Sequence, residues 1–209
     1  MNADLDLTQL FAVAAALGWA SGLRLYAVVF LTGLAGSLGW VPLPSGLSVL
    51  QHPAMLWASG GLLLVEFLAD KVPWVDSLWD SVHTFIRIPA GAALAYGVFG
   101  GDQATWATVA ALLGGTLAAT AHTAKATTRA AANTSPEPFS NLALSLAGDA
   151  LVPGMLWLSW QHPAWFFVAL GLALIVMVSV TVLLFKFLRG LGRGLRAHFL
   201  PTKPGPGAH

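Results

Sequence analysis

Three charged residues lie inside apolar stretches of this sequence: Arg24, Glu66 and Asp149. A charged side chain at the centre of a bilayer costs about 2.5–3.5 kcal/mol on insertion scales, so such residues usually pair with one another or face a wet cavity. Together with Asp70, one helical turn after Glu66, they are the candidate polar centre of the protein. One interpretation is a structural ion pair, Arg24 with Asp149 or with Glu66. The other is a proton or cation site at one of the carboxylates.

A denser polar segment follows at residues 76–87. Four of its residues share the spacing i, i+4, i+7 and i+11 and would lie on one face of a helix: Asp76, Asp80, His83 and Arg87. Carboxylates with one imidazole can hold Mg²⁺, Mn²⁺ or Zn²⁺, so Asp76, Asp80 and His83 are candidate metal ligands. The same spacing also describes the wet side of an amphipathic helix lying along the membrane interface, and this second interpretation is favoured.

A basic group and a proline-stiffened loop come after the fourth apolar stretch. His122, Lys125 and Arg129 recur at helical spacing. After the loop, Ser140 and Asn141 are candidates to cap the next helix, and a helix start beside cations attracts phosphate or carboxylate groups. The candidate anion-attracting vestibule comprises His122, Lys125, Arg129, Asn133, Ser135 and Asn141. Two alternatives remain, an ordinary cytoplasmic loop and a re-entrant loop that enters the bilayer beside a cavity.

The elements that must position these side chains are transmembrane helices. Hydrophobic residues make up 56% of the sequence and charged residues 9%, with a mean hydropathy of +0.73, whereas soluble domains carry roughly 25% charged residues. A membrane-spanning helix needs about 20 apolar residues. The sequence therefore predicts an all-α, polytopic helical transmembrane bundle of about six spans, the first of them broken at Ser21-Gly22. The predicted spans cover residues 7–41, 53–69, 82–101, 104–125, 139–158 and 164–185. They form one domain, 1–188, followed by a basic cytoplasmic tail, 189–209.

Basic residues set the predicted orientation. Cytoplasmic loops of membrane proteins are enriched in Lys and Arg, and six spans with both termini in the cytoplasm would place nine of the ten such residues inside. These nine are Lys71, Arg87, Lys125, Arg129, Lys186, Arg189, Arg193, Arg196 and Lys203. We therefore expect a membrane protein with both ends in the cytoplasm. The absence of cysteine excludes disulfides and thiolate metal sites. The net charge of +1 is a sum over two sides of a membrane, so no nucleic-acid partner is predicted.

Two further patterns concern packing. The tetrapeptide Gln-His-Pro-Ala occurs at 51–54 and 161–164, and each copy follows a Leu-Ala-Gly, at 34–36 and 146–148. This predicts a parallel internal repeat that relates the first two spans to the last two. Small residues dominate the third and fourth spans, with a GxxxG spacing from Gly97 to Gly101. Small faces let helices approach closely, so this hairpin is predicted to be the packed centre of the bundle or a contact between two copies of the chain.

Four stretches of the sequence resemble the bacterial polytopic membrane-protein family DUF4126, a domain of unknown function: ASGLRLY at 20–26, EFLADKVP at 66–73, RIPAGA at 87–92 and NTSPEPFSN at 133–141. The resemblance covers most of the chain before the basic tail and implies the family's membrane fold without a function. A weaker resemblance, in SPEPFSN at 135–141 and GLR at 22–24, is to the re-entrant hairpins of the DedA and small multidrug-export families, in a different order. That resemblance implies lipid scrambling or ion-coupled transport.

Three functional hypotheses follow from these patterns. The first is a small transport protein, a proton- or ion-coupled carrier or channel, whose partners are the lipid bilayer and a small ion or anionic solute. A homodimer is its candidate assembly. The second is a metal-dependent enzyme that transfers phosphoryl groups on phospholipids at the cytoplasmic face, with Lys125 and Arg129 holding the phosphate. The third is a lipid scramblase or membrane scaffold. No cofactor is assigned.

Overall fold

The computed structural model of this chain is a helical bundle, and it describes residues 5–72, 74–134 and 138–199. Six long helices are joined by two 3-10 helices, Ser45–Gln51 and Gly101–Gln103. The long helices are α1 (Leu7–Ser37), α2 (Pro53–Ala69), α3 (Val75–Phe99), α4 (Ala104–Ala132), α5 (Pro138–Gln161) and α6 (Pro163–Phe199). The described residues contain no strand. The predicted all-α polytopic bundle is therefore confirmed.

Within the described residues, five helices are long and apolar enough to cross a membrane, and a sixth span is added if the first 3-10 helix and α2, bent by 68°, count as one. Five of the six predicted spans begin within one residue of a described helix, but α4 and α6 run further than predicted, to Ala132 and Phe199. The third, α3, begins at Val75 and not at Val82. The segment 76–87 is thus the first half of a spanning helix. The favoured interpretation of it as a helix lying along the interface is wrong, because Asp80, His83 and Arg87 are buried against other helices.

The first half of α1, residues 7–23, runs antiparallel to α3. Phe11 contacts Phe99 at the end of α3, with ring centroids 4.9 Å apart. Further along, a Cβ atom added to Gly91 would lie 3.2 Å from the carbonyl oxygen of Gly18, so residue numbers fall along α3 as they rise along α1. The helix then breaks at Arg24, where φ is −147° and ψ is 82°. The predicted break in the first helix is confirmed, and it lies at Arg24.

The second half of α1, residues 25–37, turns back towards the end of α3. A Cβ atom added to Gly33 would lie 2.2 Å from the carbonyl oxygen of Leu50, and one added to Gly46 would lie 2.2 Å from that of Gly97. Because Gly46 and Leu50 belong to one 3-10 helix of 7 residues, Gly33 lies near the Gly97 end of α3. A straight continuation from Arg24 would instead carry Gly33 about 14 Å further from that end. α1 is therefore a re-entrant hairpin with Arg24 at its tip.

A re-entrant α1 leaves five candidate crossings where six spans were predicted: α2 taken with the 3-10 helix before it, and α3 to α6. Residues 7–41 do not form a crossing span, since both ends of α1 lie on one side of the bundle. Five crossings would put the start of α1 and the end of α6 on opposite sides of a membrane. Six spans would have put both on one side. Hydropathy alone could not separate these cases, because a hairpin buried in protein is as apolar as a span.

Small residues bring α1, α3 and α4 into close contact, as predicted for the third and fourth spans. A Cβ atom added to Gly18 would lie 2.4 Å from Cα of Gly114, and one added to Gly114 would lie 2.4 Å from Cβ of Ala95. No side chain fits between these backbones. The predicted packed centre is confirmed, and a contact between two copies of the chain stays a prediction.

Replacing Gly114 with alanine is expected to lower the free energy of unfolding by about 1–3 kcal/mol, because the added methyl forces α3 and α4 apart. Thermal unfolding of the purified protein in detergent measures the effect. The matched control is Gly154→Ala, since nothing lies within 4 Å of a Cβ atom added there. Equal unfolding temperatures for the two variants would contradict the tight packing described here.

The predicted internal repeat stays a prediction. Both Gln-His-Pro-Ala copies lead into a helix with proline at its first position, α2 and α6. Nδ1 of His52 accepts a hydrogen bond from the backbone N–H of Ala54, at 3.2 Å. The two Leu-Ala-Gly copies differ in place, since one lies at the end of α1 and the other in the middle of α5.

Candidate functional site

Arg24 at the hairpin tip joins three helices through its guanidinium, which is 2% exposed. Its Nη2 lies 2.9 Å from Oδ2 of Asp70 on α2 and 3.0 Å from Oδ1 of Asp149 on α5. The same nitrogen donates hydrogen bonds to the hydroxyl and the carbonyl oxygen of Ser145, at 3.0 and 3.2 Å. The predicted pairing of Arg24 with Asp149 is confirmed, and Asp70 is its second acid.

Arg87 pairs with Glu66, which the sequence suggested as a partner of Arg24. Nη2 of Arg87 lies 2.7 Å from Oε1 of Glu66, and Nη1 lies 2.5 Å from Oδ1 of Asp80. The side chains of Arg87 and Glu66 are both fully buried. The sequence missed this pair because Arg87 was placed at the rim of a shorter third span. Because α3 begins at Val75, Arg87 lies more than three turns inside the helix.

Lys125 and Arg129 of α4 complete the contacts around the hairpin tip. Nζ of Lys125 lies 3.0 Å from Oδ1 of Asp80 and 3.2 Å from Oδ1 of Asp70. It also donates to the carbonyl oxygen of Leu23, at 3.2 Å, at the break in α1. Arg129 donates from Nη1 to the carbonyl oxygen of Asp70 at 3.0 Å, and its Nη2 lies 3.3 Å from Oδ2 of the same residue. These two cations thus hold the end of α2 and the break in α1 together.

The ion pairs form one network that ties together α1 to α5. Among the residues that the structure describes, salt bridges connect five bases with four acids, a formal net charge of +1. They are Arg24, Lys71, Arg87, Lys125, Arg129, Glu66, Asp70, Asp80 and Asp149. Taking an ion out of water costs several kcal/mol, and only good geometry and further hydrogen bonds offset that cost. The network therefore fixes helix positions, and it carries a surplus of positive charge.

Several buried atoms of this network lack a hydrogen-bond partner among the described residues. They are Arg24 Nη1, Glu66 Oε2, Asp80 Oδ2 and Arg87 Nε. Most buried polar side-chain atoms in native proteins are paired with protein or with water. The network is thus not closed on itself, and Arg24 is the one of these four residues that also lines a cavity of the bundle.

A cavity of about 190 Å³ lies between the network and helices α5 and α6. Its charged wall consists of Arg24, Asp70, Lys125 and Arg129. Its opposite wall is apolar and includes Leu144, Ala147, Leu151, Val176 and Val180. Leu151 is 50% exposed and Val176 59%, so this wall reaches the lipid-facing surface. The cavity joins buried cations on one side to hydrocarbon on the other.

The predicted vestibule is only partly assembled. Lys125 and Arg129 belong to the network, whereas His122 lies beside it, with Nε2 2.6 Å from Oγ1 of Thr84. Asn133 donates to Oγ of Ser77 at 3.0 Å, at the end of α4. Lys125 and Arg129 thus line the cavity, whereas His122 and Asn133 make other contacts.

The proposed cap of α5 is wrong. The helix begins at Pro138, so Ser140 and Asn141 are its third and fourth residues. Proline suits the first position of a helix because it has no N–H to satisfy there. Ser135 lies outside the described residues, as does the side chain of Asn141. The predicted re-entrant loop at 133–141 stays a prediction, since residues 135–137 also lie outside them.

The candidate metal ligands have other partners where they are described. Asp80 binds Arg87 and Lys125, while His83 places Nδ1 2.8 Å from the carbonyl oxygen of Trp79 and Nε2 3.1 Å from the hydroxyl of Tyr26. The side chain of Asp76 lies outside the described residues. Among the side chains that are described, no group of three His, Cys, Asp or Glu is arranged to hold a metal ion. The metal site stays a prediction.

Comparison with known proteins gives a family. The domain of unknown function DUF4126 matches residues 11–182, which include every salt-bridged residue of the network. No curated protein and no solved structure shows a match to this chain, and the weaker resemblance to the DedA and small multidrug-export families is not supported by a match. Several of its described helices are long and apolar enough to cross a membrane, as expected of a membrane protein. The chain belongs to the family DUF4126, whose function is unknown.

Proposed function

We propose that this protein is a small transport protein of the bacterial inner membrane, an ion-coupled carrier or channel that moves an anionic substrate past the tip of α1. The observation that carries the proposal is the cavity of about 190 Å³, whose charged wall holds three cations and one carboxylate. A cation-rich wall inside the bilayer attracts anions strongly, because the low dielectric strengthens Coulomb interactions.

Asp70 gives the site a way to exchange partners. Three cations, Arg24, Lys125 and Arg129, share this one carboxylate, at 2.9, 3.2 and 3.3 Å. If one cation turns to an arriving anion, Asp70 keeps two others, so no buried charge is left unpaired. An anion can therefore bind and leave without dismantling the network.

A weaker ion pair lies at the edge of the same network. Lys71 and Asp149 are 3.5 Å apart, with side chains 23% and 26% exposed. Pairs that are open to solvent contribute about 0–1 kcal/mol, so this contact opens at low cost. Asp149 also binds Arg24, and opening of the outer pair frees one side of the carboxylate at the hairpin tip. We assign the pair as the gate between the site and the basic side of the membrane.

The charge distribution supports an orientation with the basic residues in the cytoplasm. Lys71, Lys125 and Arg129 lie near the ends of α2 and α4, which the positive-inside rule places in the cytoplasm. A re-entrant α1 then begins on the other side, where Asp6 caps the helix and no base precedes Arg24. The same rule that suggested six spans is thus satisfied by five.

Replacing Arg24 with glutamine is expected to slow anion flux at least about tenfold, the equivalent of losing one charge-assisted hydrogen bond of about 1.5–3 kcal/mol. The variant keeps a folded network, since Asp70 retains Lys125 and Arg129, and Asp149 retains Lys71. Proteoliposomes with the purified protein are assayed for movement of chloride, inorganic phosphate and a fluorescent anionic lipid.

Arg189→Gln is the matched control, because it removes the same charge from an exposed position on α6. It should leave every flux at the wild-type rate. If the wild-type protein moves no anion of this panel faster than protein-free vesicles do, the proposed function is wrong.

A further inference from the structure

We infer that the substrate of this site is an anionic lipid, whose phosphate enters the cavity from the bilayer and binds Arg24 and Lys125. The inference rests on the proposed function and names its substrate class. It is drawn from the two unlike walls of the cavity, from an unsatisfied buried donor and from the size of the space.

The charged wall matches a phosphate group. Nη1 of Arg24 is buried and has no hydrogen-bond partner among the described residues, and Arg24 lines the cavity beside Lys125 and Arg129. A guanidinium offers a planar fork of N–H donors that fits two oxygens of one phosphate, while an ammonium binds as a point charge. A phosphate here would satisfy the orphaned donor and offset the surplus charge of the network.

The opposite wall matches the hydrocarbon part of the same molecule. Leu144, Ala147 and Leu151 of α5 line this wall together with Val176 and Val180 of α6, and the half-exposed members reach the lipid surface. A hydrated soluble anion gains nothing from such a wall, because it must shed water against hydrocarbon. An acyl chain covers the wall and leaves the phosphate among the cations.

The size of the cavity limits what goes inside. Sites for drug-sized ligands measure about 300–1,000 Å³, whereas this one measures about 190 Å³. A phosphate and the first atoms of its ester fit, and the chains stay in the bilayer between α5 and α6. The site therefore selects the charge of the headgroup and tolerates different chains.

Gly148 keeps this space open. A Cβ atom added there would lie 3.4 Å from Nε of Arg24, which is ordinary contact, and Gly148 lines the cavity. A methyl is thus tolerated, while a longer side chain occupies the space beside the guanidinium. Gly148→Leu fills the cavity without changing any charge of the network. Gly154→Leu is the matched control on the same helix, because nothing lies within 4 Å of its added Cβ.

The test is equilibrium binding of a fluorescent phosphatidylglycerol to the purified full chain in detergent micelles. We expect wild type and Gly154→Leu to bind equally and Gly148→Leu to bind at least roughly tenfold more weakly, because the leucine clashes with the headgroup. Unlabelled phosphatidylglycerol should displace the probe, and phosphatidylcholine and inorganic phosphate at the same concentration should not.

Equal binding by Gly148→Leu and Gly154→Leu would overturn the inference, and so would equal displacement by phosphatidylcholine. Displacement by inorganic phosphate would overturn the lipid assignment and leave an anion site. The proteoliposome panel separates the two proposals: movement of chloride or phosphate without lipid binding refutes only the lipid, whereas no movement of any anion refutes both.

Discussion

Replacing Asp70 with asparagine is expected to lower the free energy of unfolding by about 3–5 kcal/mol, the cost of removing one member of a buried ion pair. Asp70 has no exposed side-chain surface and binds three cations from α1 and α4. The amide is nearly isosteric with the carboxylate, so the change removes charge and leaves packing intact. Thermal or denaturant unfolding in detergent measures the loss, with helical circular dichroism as the signal.

Asp149→Asn provides the comparison for this variant. Its carboxylate is 26% exposed and binds two cations, one of them partly exposed, so water replaces much of what the mutation removes. We expect a loss of about 1 kcal/mol or less, as for exposed pairs. A loss at Asp149 as large as that at Asp70 would show that burial does not set the strength of these pairs, and the central place given to Asp70 would be wrong.

Charges at membrane depth could be identified from the sequence, because their cost is independent of the fold. Arg24, Glu66 and Asp149 stood out in apolar stretches, and all three belong to the network. Their partners could not be chosen in the same way. Glu66 binds Arg87 and not Arg24, a choice that depends on where α3 begins and on how helices from distant parts of the chain pack.

The path of α1 was beyond sequence reasoning for a related reason. Its 31 residues are long and apolar enough to cross, and the break at Arg24 involves a single residue with extended dihedral angles. The direction after the break is set by contacts that the local sequence does not encode, such as Gly33 against Leu50 and Gly46 against Gly97. The hydropathy pattern gave the helices, whereas long-range contacts of small residues gave their arrangement.

The network divides into two parts with different expected roles. Glu66, Arg87 and Asp80 are almost completely buried and none of them lines the cavity, so they pin α2 to α3. The second part lines the cavity and consists of three cations and the carboxylate that they share: Arg24, Lys125, Arg129 and Asp70. This part is able to exchange partners. Stability is therefore expected to depend on both parts, and transport on the second.

A double-mutant cycle at Glu66 and Arg87 tests this division. Arg87→Gln leaves Glu66 buried without a cation and is expected to lose about 3–5 kcal/mol. Glu66→Gln leaves Arg87 its pair with Asp80 and is expected to lose less. The double variant should lose less than the sum of the two, by about 0.5–3 kcal/mol, because neither charge is then left alone. Unfolding in detergent gives the three free energies, and the anion flux of each variant in proteoliposomes is measured at a temperature where it is folded.

The flux of the folded double variant decides what the pair does. If the pair only holds α2 to α3, the double variant should move the anion at a rate within about twofold of wild type, because its transport site is intact. Arg24→Gln should remain slow in the same vesicles. If the double variant folds and its flux falls as far as that of Arg24→Gln, then Glu66 and Arg87 act in transport. The division between the buried pin and the cavity wall would then be misplaced, because charges that do not line the cavity would be governing the movement of the anion.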